Sequence, residues 1–320
     1  MRNLKALEAY LVVATLGSVT AAARHLNTSQ PSVSRMIQDL ERELDQPLFE
    51  RVGQRLVLTR VGMLLRDDVE RALSSVADVM VRARSLGESP QKPLRVAAVS
   101  SLAFGLLPHA CQRLDPETRG EMVIETTSPE RVRSEVCEGN ADIGASSLPL
   151  EHRDLTIRWM GAAPCVLAVR EDDPLAQQTG PVALAALRQR TMVGLGNPRG
   201  LPSRIRRALA QAGVARASIQ TNSTMNVLAF VRAGCGISVI EPLSSAGTPV
   251  PDVRLLPLET SIPYHVGVVT PNPGQPCDRS AALIAALQAE AEARVPGFVT
   301  SPPEAHHEIV ARMALLEETP

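Results

Sequence analysis

The sequence predicts a small all-α unit closed by a two-stranded wing, then one long helix, then a two-lobed α/β domain. Three observations carry this fold class. Apolar residues in the first 44 positions recur at helical spacing and are interrupted at Gly17 and at Asn27-Thr28. Between Leu65 and Leu86 the apolar positions step alternately by four and three residues. Beyond Leu94 short apolar runs alternate with helical stretches, which predicts a mostly parallel sheet. At roughly 100 to 200 residues per domain, the 320 residues have room for this division. The expected boundaries are an N-terminal unit over 1–60, the long helix over 61–88, a hinge over 89–93, the α/β domain over 94–295 and a tail over 296–320. Its first lobe is expected to comprise 94–163 and 265–295, its second 164–264.

Leu4, Leu7, Leu11 and Ala14 form one helical stripe, which Gly17 stops because glycine tolerates the left-handed conformation of a C-terminal cap. Ser18 can cap a short second helix over 19–26, whose Ala21, Ala22 and Ala23 allow another helix to cross closely. Ser29-Gln30-Pro31 then opens a third helix, with proline in the first turn, where its missing N–H costs nothing. Val33, Ile37, Leu40 and Leu44 are its expected buried stripe. Two helices joined by a tight turn, the second exposing Gln30, Ser32, Ser34, Arg35 and Gln38, suit the major groove of DNA. Serine and glutamine can donate to phosphates or base edges, and arginine can do so bidentately. A three-helix core with a polar outer face would show the same periodicity, so the residues that follow matter. Beyond Leu48-Phe49-Glu50-Arg51, a Gly53-Gln54 turn leads into the alternating Arg55-Leu56-Val57-Leu58-Thr59, which suits a two-stranded wing.

The run Ser18-x-Thr20-Ala21-Ala22-Ala23-x-x-Leu26-x-x-Ser29-Gln30-Pro31-Ser32-Val33-Ser34-Arg35-x-Ile37-x-x-Leu40-Glu41-x-x-Leu44-x-x-x-Leu48-Phe49-x-Arg51, continued by Leu58-Thr59-x-x-Gly62, resembles the signature of LysR-type transcriptional regulators. The resemblance implies a winged helix-turn-helix whose third helix, opened by Ser29, enters the major groove while the wing touches the flanking minor groove or backbone. Gln30, Pro31, Ser34 and Arg35 then fall on recognition-helix positions, and Arg51 and Arg55 on the wing. Gln54 stands where many relatives have Arg or Lys, which implies weaker wing contacts. The net charge of −1 gives no global nucleic-acid signature. Locally, acids gather between Asp39 and Asp45, leaving Arg24, Arg35, Arg51 and Arg55 to form a basic face.

In the long helix, Leu65, Val69, Ala72, Val76, Val79, Ala83 and Leu86 make a narrow seam between charged residues. A helix lying on its own domain would suit a broader apolar face, so the seam predicts pairing with a second copy and a DNA site of two related halves. The resemblance further implies assembly of dimers into tetramers, with RNA polymerase as a candidate partner. Gly87, Pro90 and Pro93 end the helix.

The α/β domain is expected to begin with strands over 94–99 and 122–126, a helix to Glu138 and a strand at Asp142-Ile143-Gly144. A second set starts near Cys165 and continues through Met192-Val193-Gly194, a helix over 204–212 and Ile237 to Ile240, before residues 264–269 return to the first lobe and a helix over 281–291 closes it. Gly139-x-x-Asp142-Ile143-Gly144, Asp173-Pro174-Leu175-Ala176 and Val231-x-Ala233-Gly234-x-Gly236-Ile237 are similar to landmarks of the LysR-type effector domain, itself similar to periplasmic binding proteins. Ligands of such domains lie beyond the carboxyl ends of the strands. Ser100 and Ser101, Thr127 and Ser128, and Ser146 and Ser147 follow separate strands there, and their hydroxyls suit a carboxylate or amide. By family position Ser100, Ser101, Thr127 and Ser128 lead, with Ser146 added; capping of the following helices competes with ligand binding for Ser100 and Thr127. Asn197 or Ser203 offers a contact from the opposite lobe. The segment around Thr126-Thr127-Ser128-Pro129-Glu130 also resembles regulators that respond to opines or basic amino acids.

Other function classes find little support. Aromatic residues are 2% of the chain, which disfavours base-stacking platforms. Five cysteines lie apart without a CxxC pair, so buried thiols and no metal are expected. His109 is expected on a helix surface and His306-His307 in a solvated tail. No nucleophile elbow, Ser/His/Asp order or phosphate loop points to an enzyme, and no cofactor is expected. An exported binding protein would share residues 100–293 but leaves the N-terminal motif unexplained. Residues 1–14 lack signal-peptide features and 227–243 are too short and too charged to span a bilayer, which predicts a cytoplasmic protein away from membranes.

Overall fold

A computed structural model describes residues 2–52, 55–85, 92–150, 153–197 and 200–317. The chain divides into two compact units between Lys92 and Pro93. In the first, α1 (Arg2–Leu16), α2 (Val19–His25) and α3 (Gln30–Leu44) precede an antiparallel hairpin of β1 (Phe49–Val52) and β2 (Arg55–Leu58), and α4 (Arg60–Ser85) follows. Gly17 adopts φ +63° after α1. Ser18 Oγ accepts the Ala21 N–H at 3.3 Å, and Ser29 Oγ accepts the Ser32 N–H at 3.3 Å, so each serine satisfies an N–H that the first turn leaves open. Ala9, Val13, Ala22, Val33 and Ile37 form one apolar cluster; Tyr10, Leu40 and Leu48 lead a second. Glu41 ties the hairpin to α3, its Oε1 accepting the N–H groups of Leu48 (2.7 Å) and Phe49 (3.1 Å). Gly62 lies so close beneath Leu48 that a Cβ there would overlap the Leu48 carbonyl oxygen, and the Tyr10 hydroxyl donates to the Gly62 carbonyl oxygen.

The seam of α4 divides between two environments. Val69 is buried among Tyr10, Leu40 and Leu48, with Leu65 packed beside it, so these two positions cover the unit's own core and are corrected from the expected intermolecular seam. Leu64, at 70% exposure, and Val76, at 38%, face outward. The side chains of Val79 and Ala83, together with Leu86, Gly87 and Pro90, lie outside the described residues, as do Gln54 and the side chain of Arg55.

The second unit opens with β3 (Leu94–Ala98), α5 (Ser100–Gly105), α6 (Leu107–Arg113), α7 (Pro116–Arg119), β4 (Met122–Thr126), α8 (Pro129–Cys137), β5 (Ile143–Ser147) and β6 (Leu155–Pro164). The second lobe contributes β7 (Val166–Arg170), β8 (Val193–Leu195), α9 (Leu201–Gln211), β9 (Ile219–Thr221), α10 (Thr224–Arg232), β10 (Ser238–Ile240), α11 (Leu243–Gly247) and β11 (Val253–Pro257). The chain then returns through β12 (Pro263–Pro271), α12 (Asp278–Arg294), β13 (Val299–Ser301) and α13 (His306–Glu317). The main sheet has the order β13-β6-β12-β5-β3-β4, and the second lobe holds β10-β7-β11 and the pair β8-β9.

The sheets are mixed rather than mostly parallel. β3 runs parallel to β4 and β5, but β12 is antiparallel to both β5 and β6, because the strand that returns from the second lobe enters from the opposite end. The region expected as a tail is also partly structural. β13 extends the sheet beside β6, and His306 is buried with Nε2 at 3.3 Å from the Leu150 N–H, so the expected solvated histidine is a packed one. His109 is half-buried, its Nε2 3.1 Å from the Gly247 carbonyl oxygen. One further departure concerns α11. It falls within the span expected for the second lobe yet packs on α5 and α12, and a Cβ on Gly105 or on Gly247 would overlap backbone of the other helix.

Candidate functional sites

The burial pattern of α3 separates its faces. Val33, Ile37 and Leu40 are buried, while Gln30, Pro31, Ser32, Arg35 and Gln38 are exposed and Ser34 is half-buried. Gln30, Ser34 and Gln38 are spaced by four residues and share one stripe, with Arg35 beside it. Ser29 and Ser32 are less available, because their hydroxyls lie 2.8 Å apart and Ser29 also caps the helix. Arg42 pairs with Asp39 at 2.9 Å, which neutralises part of the acidic end of α3. Arg51 is exposed on β1. This surface offers hydrogen-bond donors and one guanidinium on a convex helix, the chemistry that base edges and phosphates accept.

In the second unit a cavity of 670 Å³ opens between the lobes. Ser100, Thr127 and Ser128 line it from the first lobe, Asn197 and Arg204 from the second, and Ser101, Glu241 and Tyr264 at its floor. Helix capping separates the hydroxyls. Ser128 caps α8, accepting the Arg131 N–H at 3.3 Å, whereas neither Ser100 nor Thr127 caps a helix: α5 starts after Val99 with no side-chain cap. Ser101 is buried, its hydroxyl 2.8 Å from that of Tyr264.

Two expected positions are not brought to the cavity. Ser146 is fully buried with no hydrogen-bond partner for its hydroxyl among the described residues, because β5 continues past Gly144 to Ser147 and the strand's alternation turns Ser147 toward the cavity instead. Ser203 is displaced because α9 begins at Leu201, three residues earlier than expected, with Gly200 at φ +66° before it; this turn of the helix puts Arg204 on the cavity wall. Arg204 Nη1 donates to the Pro263 carbonyl at 2.8 Å.

Glu241 and Arg204 were not among the expected contacts. Glu241 is 2% exposed, and its carboxylate accepts the Ser244 N–H at 3.0 Å, the Ser244 hydroxyl and the Thr224 hydroxyl. Burial pushes its carboxyl up to about 7 against the pull of those donors. Burial likewise raises the Tyr264 hydroxyl and the Cys165 thiol, each further raised by the Glu241 charge. The signal in the sequence was a lone acid, Glu241-Pro242, closing the apolar run Ile237-Ser238-Val239-Ile240.

Residues 4–63 match the model of the bacterial regulatory helix-turn-helix protein, lysR family, and residues 87–292 match that of the LysR substrate binding domain. The chain belongs to the LysR family of transcriptional regulators. Members of the LysR family are DNA-binding, effector-responsive regulators rather than enzymes. Relatives include the octopine catabolism/uptake operon regulatory protein OccR of Rhizobium meliloti, 27% identical over 250 residues that span 76% of this chain and 81% of that protein. The transcriptional activator protein LysR of Escherichia coli is 27% identical over 324 residues, 93% of this chain and 95% of its own. Among solved structures, full-length CbnR in complex with its target DNA matches with a TM-score of 0.65 at 22% identity, covering 90% of this chain and 99% of that one. Full-length BenM matches with a TM-score of 0.52 at 24% identity, covering 92% and 99%. These structures share the fold of a winged helix-turn-helix joined to a two-lobed α/β effector domain. No described helix is long and apolar enough to cross a membrane.

Proposed function

We propose that this LysR-type regulator binds promoter DNA as a symmetric oligomer and changes transcription when a small effector bearing a carboxylate or amide occupies the interlobe cavity. The observation that carries the effector assignment is the 670 Å³ cavity lined from both lobes, with the Ser100 and Thr127 hydroxyls free of capping duty and Arg204 opposite. An effector held by both lobes favours whichever arrangement brings them to it, and shifts the equilibrium by its difference in affinity between the two states. The likeness to a regulator of octopine catabolism supports a small organic effector. The protein acts in the cytoplasm, on DNA reached by α3 and the wing, with RNA polymerase as a further partner and a dimer of dimers as the larger assembly.

The pocket has a direct test. Changing Ser100 and Thr127 together to Ala removes hydrogen bonds worth about 0.5 to 1.5 kcal/mol each, so the effector concentration for half response should rise about tenfold. DNA binding without effector should persist, and the melting temperature should hold because neither residue caps a helix. Co-purified ligand identified by mass spectrometry supplies the effector for this titration. A lowered melting temperature with unchanged effector affinity would remove both residues from the pocket.

Pairing is assigned to the outward face of α4, where Val76 is exposed and Leu64 stands free of the core. Val76→Glu places two like carboxylates against each other in a paired helix, where burial without a partner is strongly unfavourable. Sedimentation is expected to show a smaller species with weakened DNA binding. Persistence of the wild-type assembly would locate pairing elsewhere.

A further inference from the structure

Buried carboxylates in this unit come with a guanidinium. Glu290, at 3% exposure, is paired with both Arg113 and Arg294. Glu135, at 6%, is 2.6 Å from Arg131. The half-buried Asp173 likewise pairs with Arg190. Glu241 is the most buried of these and forms no salt bridge among the described residues; its contacts are the backbone N–H groups of Leu243 and Ser244 and the hydroxyls of Thr224 and Ser244. Hydroxyls and amides stabilise a carboxylate but do not offset its charge, and an isolated buried charge is expensive. Unlike Glu135 and Glu290, Glu241 lines a cavity large enough for a small molecule.

The first turn of α11 supplies three of these contacts, the Leu243 and Ser244 N–H groups and the Ser244 hydroxyl, and a neutral side chain would serve to cap it as well. It leaves open why an ionisable group stands at the floor of the cleft. Among the described residues Arg204 also lines this cavity, as does the exposed Glu130, so beside its hydroxyls the cleft presents one cationic side chain, one exposed carboxylate and the buried carboxylate of Glu241.

We propose that Glu241 is the counter-ion for a cationic nitrogen of the effector, so that the effector is a zwitterion with an ammonium or guanidinium group in addition to its carboxylate. The inference rests on the assignment of the interlobe cavity as the effector site. Pairing with a cation inside the cleft completes the arrangement that the other buried carboxylates already have within the chain. It also gives specificity: a ligand with a carboxylate alone would leave Glu241 buried without a countercharge.

The test uses the full-length protein and matched probes in calorimetric titration. L-norleucine and hexanoate differ by one ammonium, 4-guanidinobutyrate and butyrate by one guanidinium, and succinate carries carboxylates alone. Wild-type protein is expected to bind at least one member with the cationic nitrogen tenfold or more tightly than its partner without it, and Glu241→Gln is expected to abolish that difference. Equal discrimination by wild type and Glu241→Gln would overturn the assignment of Glu241. Failure of both cationic probes to bind overturns the proposal; if succinate binds all the same, the carboxylate assignment of the cleft stands, and if it fails too, both fall. Should Glu241→Gln not fold, the wild-type comparison of each zwitterion with its carboxylate-only partner still decides whether a cation is required.

Discussion

Arg35→Ala is expected to weaken binding to the preferred DNA site by about 1 to 3 kcal/mol, roughly five- to 150-fold. Arg35 is exposed on α3 on the side away from Val33 and Ile37, beside the stripe of Gln30, Ser34 and Gln38. On a helix lying in the major groove, a guanidinium can take both acceptors of a guanine, and its loss leaves them without protein donors. The measurement is titration of the strongest sequence that the wild-type protein selects from a random pool, alongside a random duplex. A loss confined to the selected site identifies base reading. An equal loss on both, with a shallower salt dependence, identifies a phosphate contact. Unchanged affinity for both removes Arg35 from the recognition face.

The second large effect is on stability and concerns Glu241. Its carboxyl titrates near 7 in the folded protein and near its ordinary value of 4.5 when unfolded. Between these values the folded state holds a proton that the unfolded state has released, so stability is highest at low pH and falls as pH rises from about 4.5 through about 7. A displacement of this size corresponds to about 3 kcal/mol. Glu241→Gln carries no charge to bury, so its stability should lack this decline and exceed that of the wild type above pH 7.5. Glu135, also raised by burial, has the same sign in both proteins and drops out of the difference. Asp115, Glu290 and Glu292 are held below their ordinary values and act at lower pH, while burial moves Cys165 and Tyr264 upward, away from this window. Urea unfolding at pH 5.5 and pH 8, followed by the single tryptophan, Trp159, which is buried in the main sheet, provides the measurement. Parallel pH profiles for the two proteins would refute the expectation.

The helices of the first unit were legible because their boundaries are written in local chemistry. Gly17, Ser18, Ser29 and Pro31 each act within one turn of their own position, and the buried stripe of α3 follows from spacing alone. The seam of α4 was legible only as a pattern. Periodicity marks which residues are apolar, but it does not say whether Val69 meets Tyr10 of its own unit or a second chain. In the effector domain β6, β9, β11 and β13 were not foreseen, and for the strands that were, direction was not, since antiparallel pairing of β12 with β5 depends on residues more than a hundred positions apart. The cavity shows the same limit. Ser100 and Thr127 follow strand ends and could be named from sequence, whereas a one-residue phase decides between Ser146 and Ser147, and a three-residue shift in the start of α9 decides between Ser203 and Arg204. Glu241 escaped because it stands next to an apolar run and looks like a strand end, and only the fold brings it to the same cavity as Arg204.

The contact of α5 with α11 restricts how the cleft can change shape. Gly105 and Gly247 meet main chain to main chain, with no side chains between them to compress or switch rotamer. A joint of this kind resists sliding and opposes it through covalently stiff backbone, while it leaves rotation about the point of contact comparatively cheap. α11 lies two residues beyond Glu241, whose carboxylate also grips Ser244 within that helix. A change in the charge or occupancy of the cavity floor is therefore felt first at this backbone contact, where no side chain is present to absorb it.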